Sequence, residues 1–353
     1  MAKKEAPGQM NLFGGLEPPA RPAGREAGPA VRPAKPREEI AALAAQLPDN
    51  VYLGTSSWSF PGWADLLYDG GYRESELARE GLRAYAQHPL FRAVGLDKSY
   101  YAPLSMAEYE RLASQTPADF RFLVKAYDGV TTPFYTERNA PRDVRPGALN
   151  PRFLDASFTA DEVVRPYVEG LRGRAGALVF QFSPMELRKL GGPGGFIDRL
   201  ADFGAKLPPG PAYAVEIRNR ELLGDAWLEA YVAALAAGNM VHCYNVHPNM
   251  PSPAEQAERV PLPANATVCA VRWMLNPAFR YDAAVERYAP FNRLVDPDPA
   301  NRSALADLIA AAARQPIRVI TSINNKAEGS SPLSCVELAK EIIARSKAEF
   351  QDF

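Results

Sequence analysis

From Val51 onward, short apolar runs rich in β-branched residues alternate with longer stretches of helical periodicity. The runs are VYLG (51–54), AVGLD (93–97), RFLVKA (121–126), ALVFQF (177–182), YAVEIR (213–218), MVHCYNV (240–246), TVCAVRW (267–273) and IRVITSI (317–323). They are apolar at nearly every position, the pattern of strands buried on both faces of a parallel sheet. Between most of them lie helical patterns such as SMAEYERLASQ (105–115), GGFIDRLADFGAKL (194–207) and NRSALADLIAAAARQ (301–315), and SPLSCVELAKEIIARSK (331–347) follows the last run. Eight strands, almost all followed by a helix, predict an α/β chain folded as a (β/α)8 TIM barrel. No GxGxxG follows the first run, which weighs against a dinucleotide-binding sheet.

Three segments depart from the alternation. Residues 128–158 and 275–300 are insertions after the third and seventh strands, at the end of the barrel where sites are built. PAEQAERV (253–260) is a short helix after strand six. Upstream, residues 1–37 carry seven prolines, at 7, 18, 19, 22, 29, 33 and 36. Such a segment buries too little surface to offset its ordering entropy, so a disordered tail is expected before a barrel domain over 38–353. EEIAALAAQL (38–47) reads as a short helix stopped by Pro48.

Composition adds limits. The net charge of −1 supplies no global basic field, so nucleic acid would have to be met by a local patch or a tethering partner. Cys243, Cys269 and Cys335 form no CxxC and no even set, which favours a reducing compartment, and a cytoplasmic location is expected. No run of about 18 apolar residues is present to cross a bilayer. Three histidines (His88, His242, His247) are too few for a multi-zinc centre, and the alternative of a single Mg2+ held by Glu216 and Asp97 matches no motif, so no metal site is expected, and no pattern names a cofactor.

Chemistry in a barrel gathers where strands end. Those ends supply Ser57, Trp58 and Trp63; Asp97, Lys98, Tyr100 and Tyr101; Lys125; Gln181; Glu216 and Arg218; His242, Asn245 and His247; Arg272; Asn324 and Asn325. Glu216 and Arg218 are two apart and share a face. A carboxylate there suits proton abstraction, with Lys125 and Arg218 stabilising negative charge, while an ion-pair network closing the barrel explains the same residues. Trp58 and Tyr101 are candidate stacking surfaces, or aromatic plugs of the mouth. Ser57, Asp97, Gln181, Arg272, Asn324 and Asn325 are candidate hydrogen-bonding partners of a polar ligand. Ser331 followed by Pro332 predicts a helix cap, and Gly329 with Ser330 before it forms a candidate phosphate cup that plain capping also explains.

The blocks GTSSWSFPGW, LDKSYYAP, TPADFRFLVKA, LVFQF, AVEIRN, AVRW and INN occur in the order found in the DUF72 (YecE-like) family. The chain resembles that family over about residues 51–347. The resemblance implies a TIM barrel and leaves the reaction open. Where members typically carry glutamate and asparagine in the second-strand block, this chain has Gly95 and Asp97. Where they carry Arg-x-His-Gly on strand seven, it has Arg272, Trp273, Met274 and Leu275, and Leu222 and Leu223 lie near where a tryptophan is usual.

The expected function is an enzyme acting by acid/base chemistry on a small sugar-like, phosphorylated or nucleotide-derived molecule. A non-catalytic ligand-binding barrel fits the same residues. A third reading comes from the tail. QMNLF (9–13) is similar to the Gln-Leu-x-Leu-Phe peptide by which bacterial replication and repair proteins bind the sliding clamp, with Met10 a volume match for leucine. Gln9 would anchor by hydrogen bonds while Leu12 and Phe13 fill an apolar pocket.

Overall fold

A computed structural model describes residues 30–137 and 139–348. Eight parallel strands close into a barrel in chain order: β1 Val51–Thr55, β2 Phe91–Leu96, β3 Arg121–Lys125, β4 Ala175–Gln181, β5 Tyr213–Glu216, β6 Met240–Val246, β7 Val268–Trp273 and β8 Arg318–Ile323. Closure is made by β1 on β8, in register from Val51–Val319 to Thr55–Ile323. Every predicted strand is present, with ends shifted by two residues at most.

The period-two alternation divides the core. Tyr52, Ala93, Leu123, Ala177, Val179, Ala214, Val241, Cys243, Val268, Ala270 and Ile320 form an inner cluster. Several are small because eight strands leave room for little more than packed side chains. The alternate residues, among them Leu53, Val94, Val124, Phe180, Val215, Tyr244, Val271 and Val319, join the larger outer cluster beneath the helices.

The helices form where periodicity and caps agree. In Met106–Ala113, the Ser105 hydroxyl accepts from the Glu108 amide at 3.3 Å and Glu108 Oε2 accepts from the Ser105 amide at 3.0 Å. Gly192–Lys206 starts after Gly191 in the left-handed region and ends before the paired prolines 208 and 209. It buries Phe196, Ile197, Leu200 and Phe203, with Phe203 edge-on to Phe180 at 5.2 Å. Cutting Phe203 to alanine should cost about 3–5 kcal/mol.

Val31 to Ala34 lie inside the expected tail, yet they pair with the loop after β1. The Ala34 amide donates to the Leu67 carbonyl at 2.9 Å, and Arg32 Nε sits 2.6 Å from Asp69 Oδ2. Gln9, Leu12 and Phe13 lie outside the described residues. The 275–300 insertion contains a helix the pattern missed, Tyr281–Tyr288, too short to show more than Ala284 and Tyr288 as an apolar pair. These two pack with Leu275, Phe279, Phe291 and Val295 in a satellite cluster. Among the described residues no helix is long and apolar enough to cross a membrane.

Candidate functional site

At the C-terminal end of the barrel the inner row turns from small and apolar to polar. Continuing each strand by two residues places Ser56 above Gly54, Asp97 above Gly95, Lys125 above Leu123, Gln181 above Val179, Glu216 above Ala214, Asn245 above Cys243, Arg272 above Ala270 and Ser322 above Ile320. The site is therefore one layer of the barrel, each member held by a different strand.

Glu216 is its anchor. The carboxylate is fully buried; Oε1 accepts from Arg218 Nη2 at 2.9 Å and Nε at 3.1 Å, and Oε2 is bonded to Arg272 Nη1. Gln181 Oε1 accepts from Arg218 Nη2 and from Arg272 Nη1, each at 3.0 Å. Burial by itself would raise the Glu216 pKa, but Arg272 and Arg218 outweigh it and hold the group at about 2. Arg272, though buried, stays charged because Glu216 and Asp97 face it, the latter at 3.4 Å from Nη2. A carboxylate whose oxygens are taken by two guanidiniums is a poor proton acceptor near neutral pH. Its geometry fits the ion-pair alternative, which orients the two arginines.

Lys125 behaves differently. Its ammonium has no carboxylate within ion-pair distance among the described residues and rests 3.5 Å from the centre of the Tyr100 ring. Burial, with Arg272 and Arg218 adding to it, pulls its pKa down to about 7 against the pull of Asp97 and Glu216. Lys326, just beyond β8, repeats the arrangement. It is 5% exposed, its ammonium lies 4.4 Å from the centre of the Tyr281 ring, and burial lowers its pKa to about 8 against Asp97. Asp97 thus acts electrostatically on two lysine–tyrosine pairs. The mouth holds four basic side chains (Lys125, Arg218, Arg272, Lys326) and two carboxylates (Asp97, Glu216), so it presents excess positive charge to whatever enters.

His247 adds a donor. Burial and Arg218 lower its pKa to about 4, so the ring is neutral. Its Nδ1 accepts from the Asn249 amide at 3.2 Å, which leaves the proton on Nε2.

Several expected ligand contacts are placed elsewhere. Trp58 is buried in the outer core, its indole N–H donating to the Leu77 carbonyl at 3.1 Å, and offers no stacking face. Ser57 turns to Ser59, 3.2 Å between hydroxyls, while Ser56 takes the inward position and accepts from Asn324 Nδ2 at 2.8 Å. Asn325 Oδ1 accepts from the amide and the hydroxyl of Ser331, both at 2.8 Å, capping the last helix. Gly329, at φ +114°, lies under the 275–300 segment, where an added Cβ would sit 2.7 Å from the Arg293 carbonyl; the candidate phosphate cup is covered. His242 is bonded to Tyr231 (3.0 Å) and Gln256 (3.2 Å) on the outer face. Tyr101 is half exposed at the rim, edge-on to Tyr100. Lys326 was missed because it lies in the loop after β8, where no period marks which side chain faces inward, and Tyr281 because it opens the short helix that the pattern did not show.

Gly95 occupies the inward position two below Asp97. A Cβ there would fall 2.7 Å from Ser322 Oγ and 2.9 Å from the Ser56 Cα, so the wall has no room for a side chain. Among the described residues, no group of three or more His, Cys, Asp or Glu is placed to hold a metal.

Comparison with known proteins agrees with the architecture. A DUF72 family protein of Enterococcus faecalis V583 superposes with a TM-score of 0.54 at 15% identity, covering 84% of this chain and 95% of that one. A DUF72 family protein of Thermotoga maritima MSB8 gives 0.51 at 18% identity, covering 82% and 98%. In sequence, 81 residues are 36% identical to the UPF0759 protein YunF of Bacillus subtilis (strain 168), and the match spans 23% of this chain and about a quarter of that relative (26%). The pattern described as "Protein of unknown function DUF72" matches residues 52–351. A match over nearly the whole barrel, with two solved relatives of the same architecture, makes this chain a member of the DUF72 family.

Proposed function

We propose that the barrel is an enzyme that binds a small polar substrate through an anionic group, phosphate or carboxylate, and moves a proton at Lys125. The observation that carries this reading is the uncompensated charge of the mouth, in which the ammonium groups of Lys125 and Lys326 rest on aromatic rings without a carboxylate partner among the described residues. A pKa near the operating pH suits Lys125 to accept and return a proton, a role better matched than Glu216, whose lone pairs are occupied. Arg272 and Arg218, fixed by Glu216 and Gln181, would stabilise developing negative charge without reorganising. Asp97 and Tyr101 line the approach.

An entering anion raises the pKa of both lysines, so binding takes up protons and weakens as pH rises above about 8. Thermal-shift screening of phosphorylated and carboxylated sugars beside their neutral parents tests the charge requirement. Stabilisation by the anionic compounds, lost in Lys125→Met, is expected; equal stabilisation by neutral parents would overturn it. For any ligand then found to turn over, Lys125→Arg should keep binding and lose kcat at least 100-fold.

A second reading is carried by QMNLF: recruitment of the barrel to a DNA sliding clamp through Gln9, Leu12 and Phe13. Pull-down with purified clamp should recover the full chain and fail with Leu12→Ala and Phe13→Ala combined. Equal recovery of both would dismiss it.

A further inference from the structure

The opposite, N-terminal end of the barrel carries its own concentration of charge. There the inner row closes on Tyr52, the first inward side chain of β1, which is 7% exposed. The guanidinium carbons of Arg92 and Arg121 lie 4.4 Å and 5.2 Å from the centre of its ring. Arg121 opens β3 two residues below inward-facing Leu123, and Arg318 opens β8 two residues below inward-facing Ile320. Alternation therefore turns both arginines into the lumen beside Tyr52.

Negative charge there is scarce. Among the described residues the one ion pair of this cluster is Arg92 with Asp119, 3.5 Å apart, the carboxylate side chain 62% exposed and open to screening. Arg121 gives Nη1 to the carbonyls of Ala118 (3.2 Å) and Phe120 (2.9 Å), and its buried Nε has no partner among the described residues. Arg318 makes no ion pair among them. Burial lowers the Arg121 pKa, and Arg318 and Arg92 push the same way against Tyr52 and Asp119. Arg92 Nη1 also donates to the Asp49 carbonyl at 2.7 Å, which leaves Arg121 Nε as the cluster's buried donor without a partner among the described residues. Like charges held together around an unspent donor cost stability unless something negative joins them. Guanidinium forks match the paired oxygens of a phosphate, and the apolar side chains of Leu123, Ala93 and Ile320 lie above the cluster in the lumen.

We infer that the N-terminal end of the barrel lumen is a binding site for a single phosphate group, held by Arg121, Arg318 and Arg92 over the Tyr52 ring. It is separate from the C-terminal mouth and does not depend on the reading given to that mouth.

The probe is inorganic phosphate, titrated calorimetrically and by thermal shift against chloride of equal ionic strength. Lys125→Met with Lys326→Met is the background that removes phosphate capture at the mouth. In that background one saturable phosphate should bind, and Arg318→Gln or Arg92→Gln should each weaken it at least 10-fold. Without phosphate, Arg318→Gln should melt at or above its parent, because it relieves repulsion; a purely structural arginine would lower the melting temperature. No saturable binding in the double-lysine background, undiminished binding in both arginine variants, or a lower phosphate-free melting temperature in Arg318→Gln would overturn the site. Loss of binding in the lysine background alone refutes this site and leaves the mouth intact.

Discussion

Ser56 and Ser57 differ by one residue and by which side of the barrel they serve. The same parity separates Asn324, which reaches Ser56, from Asn325, which caps the final helix. Counting in twos from Tyr52 or Ile320 assigns all four, whereas position at a strand end was enough to single out Lys125, Gln181, Glu216 and Arg272. Lys326 and Tyr281 had no such count to follow. The charge logic of these residues predicts that Glu216→Gln, by leaving buried Arg272 and half-buried Arg218 half-paired, destabilises the fold by about 3–5 kcal/mol in denaturant titration. An anionic ligand should recover part of that loss, binding Glu216→Gln more tightly than wild type. No such recovery would mean that the mouth does not read charge.

At the scale of elements, the 275–300 segment brings Tyr281 to Lys326 and is seated by close backbone contact. A Cβ on Gly62 would lie 1.7 Å from the Pro290 carbonyl, and the Phe60 and Phe291 rings meet at 5.5 Å. Glu328 ties the far end, accepting from the Asp298 amide at 2.7 Å while its backbone carbonyl accepts from Val295 at 2.7 Å. Gly62→Ala should therefore unseat the segment. Hydrogen exchange at Tyr281–Tyr288 should accelerate at least 10-fold while the strands keep their protection; unchanged exchange would show that the contact is dispensable. Tyr281→Ala should raise the Lys326 pKa by exposing the ammonium, measurable from its rate of reductive methylation against pH. The sequence marked this segment as an insertion but not its helix, because eight residues with two apolar anchors carry little periodic signal.

For the molecule as a whole, the barrel was legible because its strands are buried on both faces and so read as unbroken apolar runs. The layer of charged residues was legible as positions but not as roles, since pairing depends on contacts between strands as distant as β2 and β7, where Asp97 meets Arg272. One global property follows from that layer. Lys125 and Lys326 have folded pKa values of about 7 and 8 against roughly 10.4 in an unfolded chain. Between these limits the unfolded state binds more protons, so both lysines make stability rise with pH from about 7. Buried Cys243, Cys269 and Cys335, whose thiol pKa values are all pushed up by burial, together outweigh the two lysines and reverse the trend once unfolded thiols ionise near pH 8.5. Urea unfolding from pH 6.5 to 8.5 should show this rise in wild type and a flatter profile in Lys125→Met with Lys326→Met; parallel profiles would disprove the coupling.

Gly95 has a consequence for how this mouth can change over time. A polar side chain on a loop can be gained or lost by single substitutions, each tested by selection on its own. The position below Asp97 is closed by the Ser56 backbone, so a carboxylate can enter only if β1 shifts or is rebuilt along with it. The positive character of the mouth is therefore recorded partly in the spacing between strands, where drift by single steps cannot readily erase it.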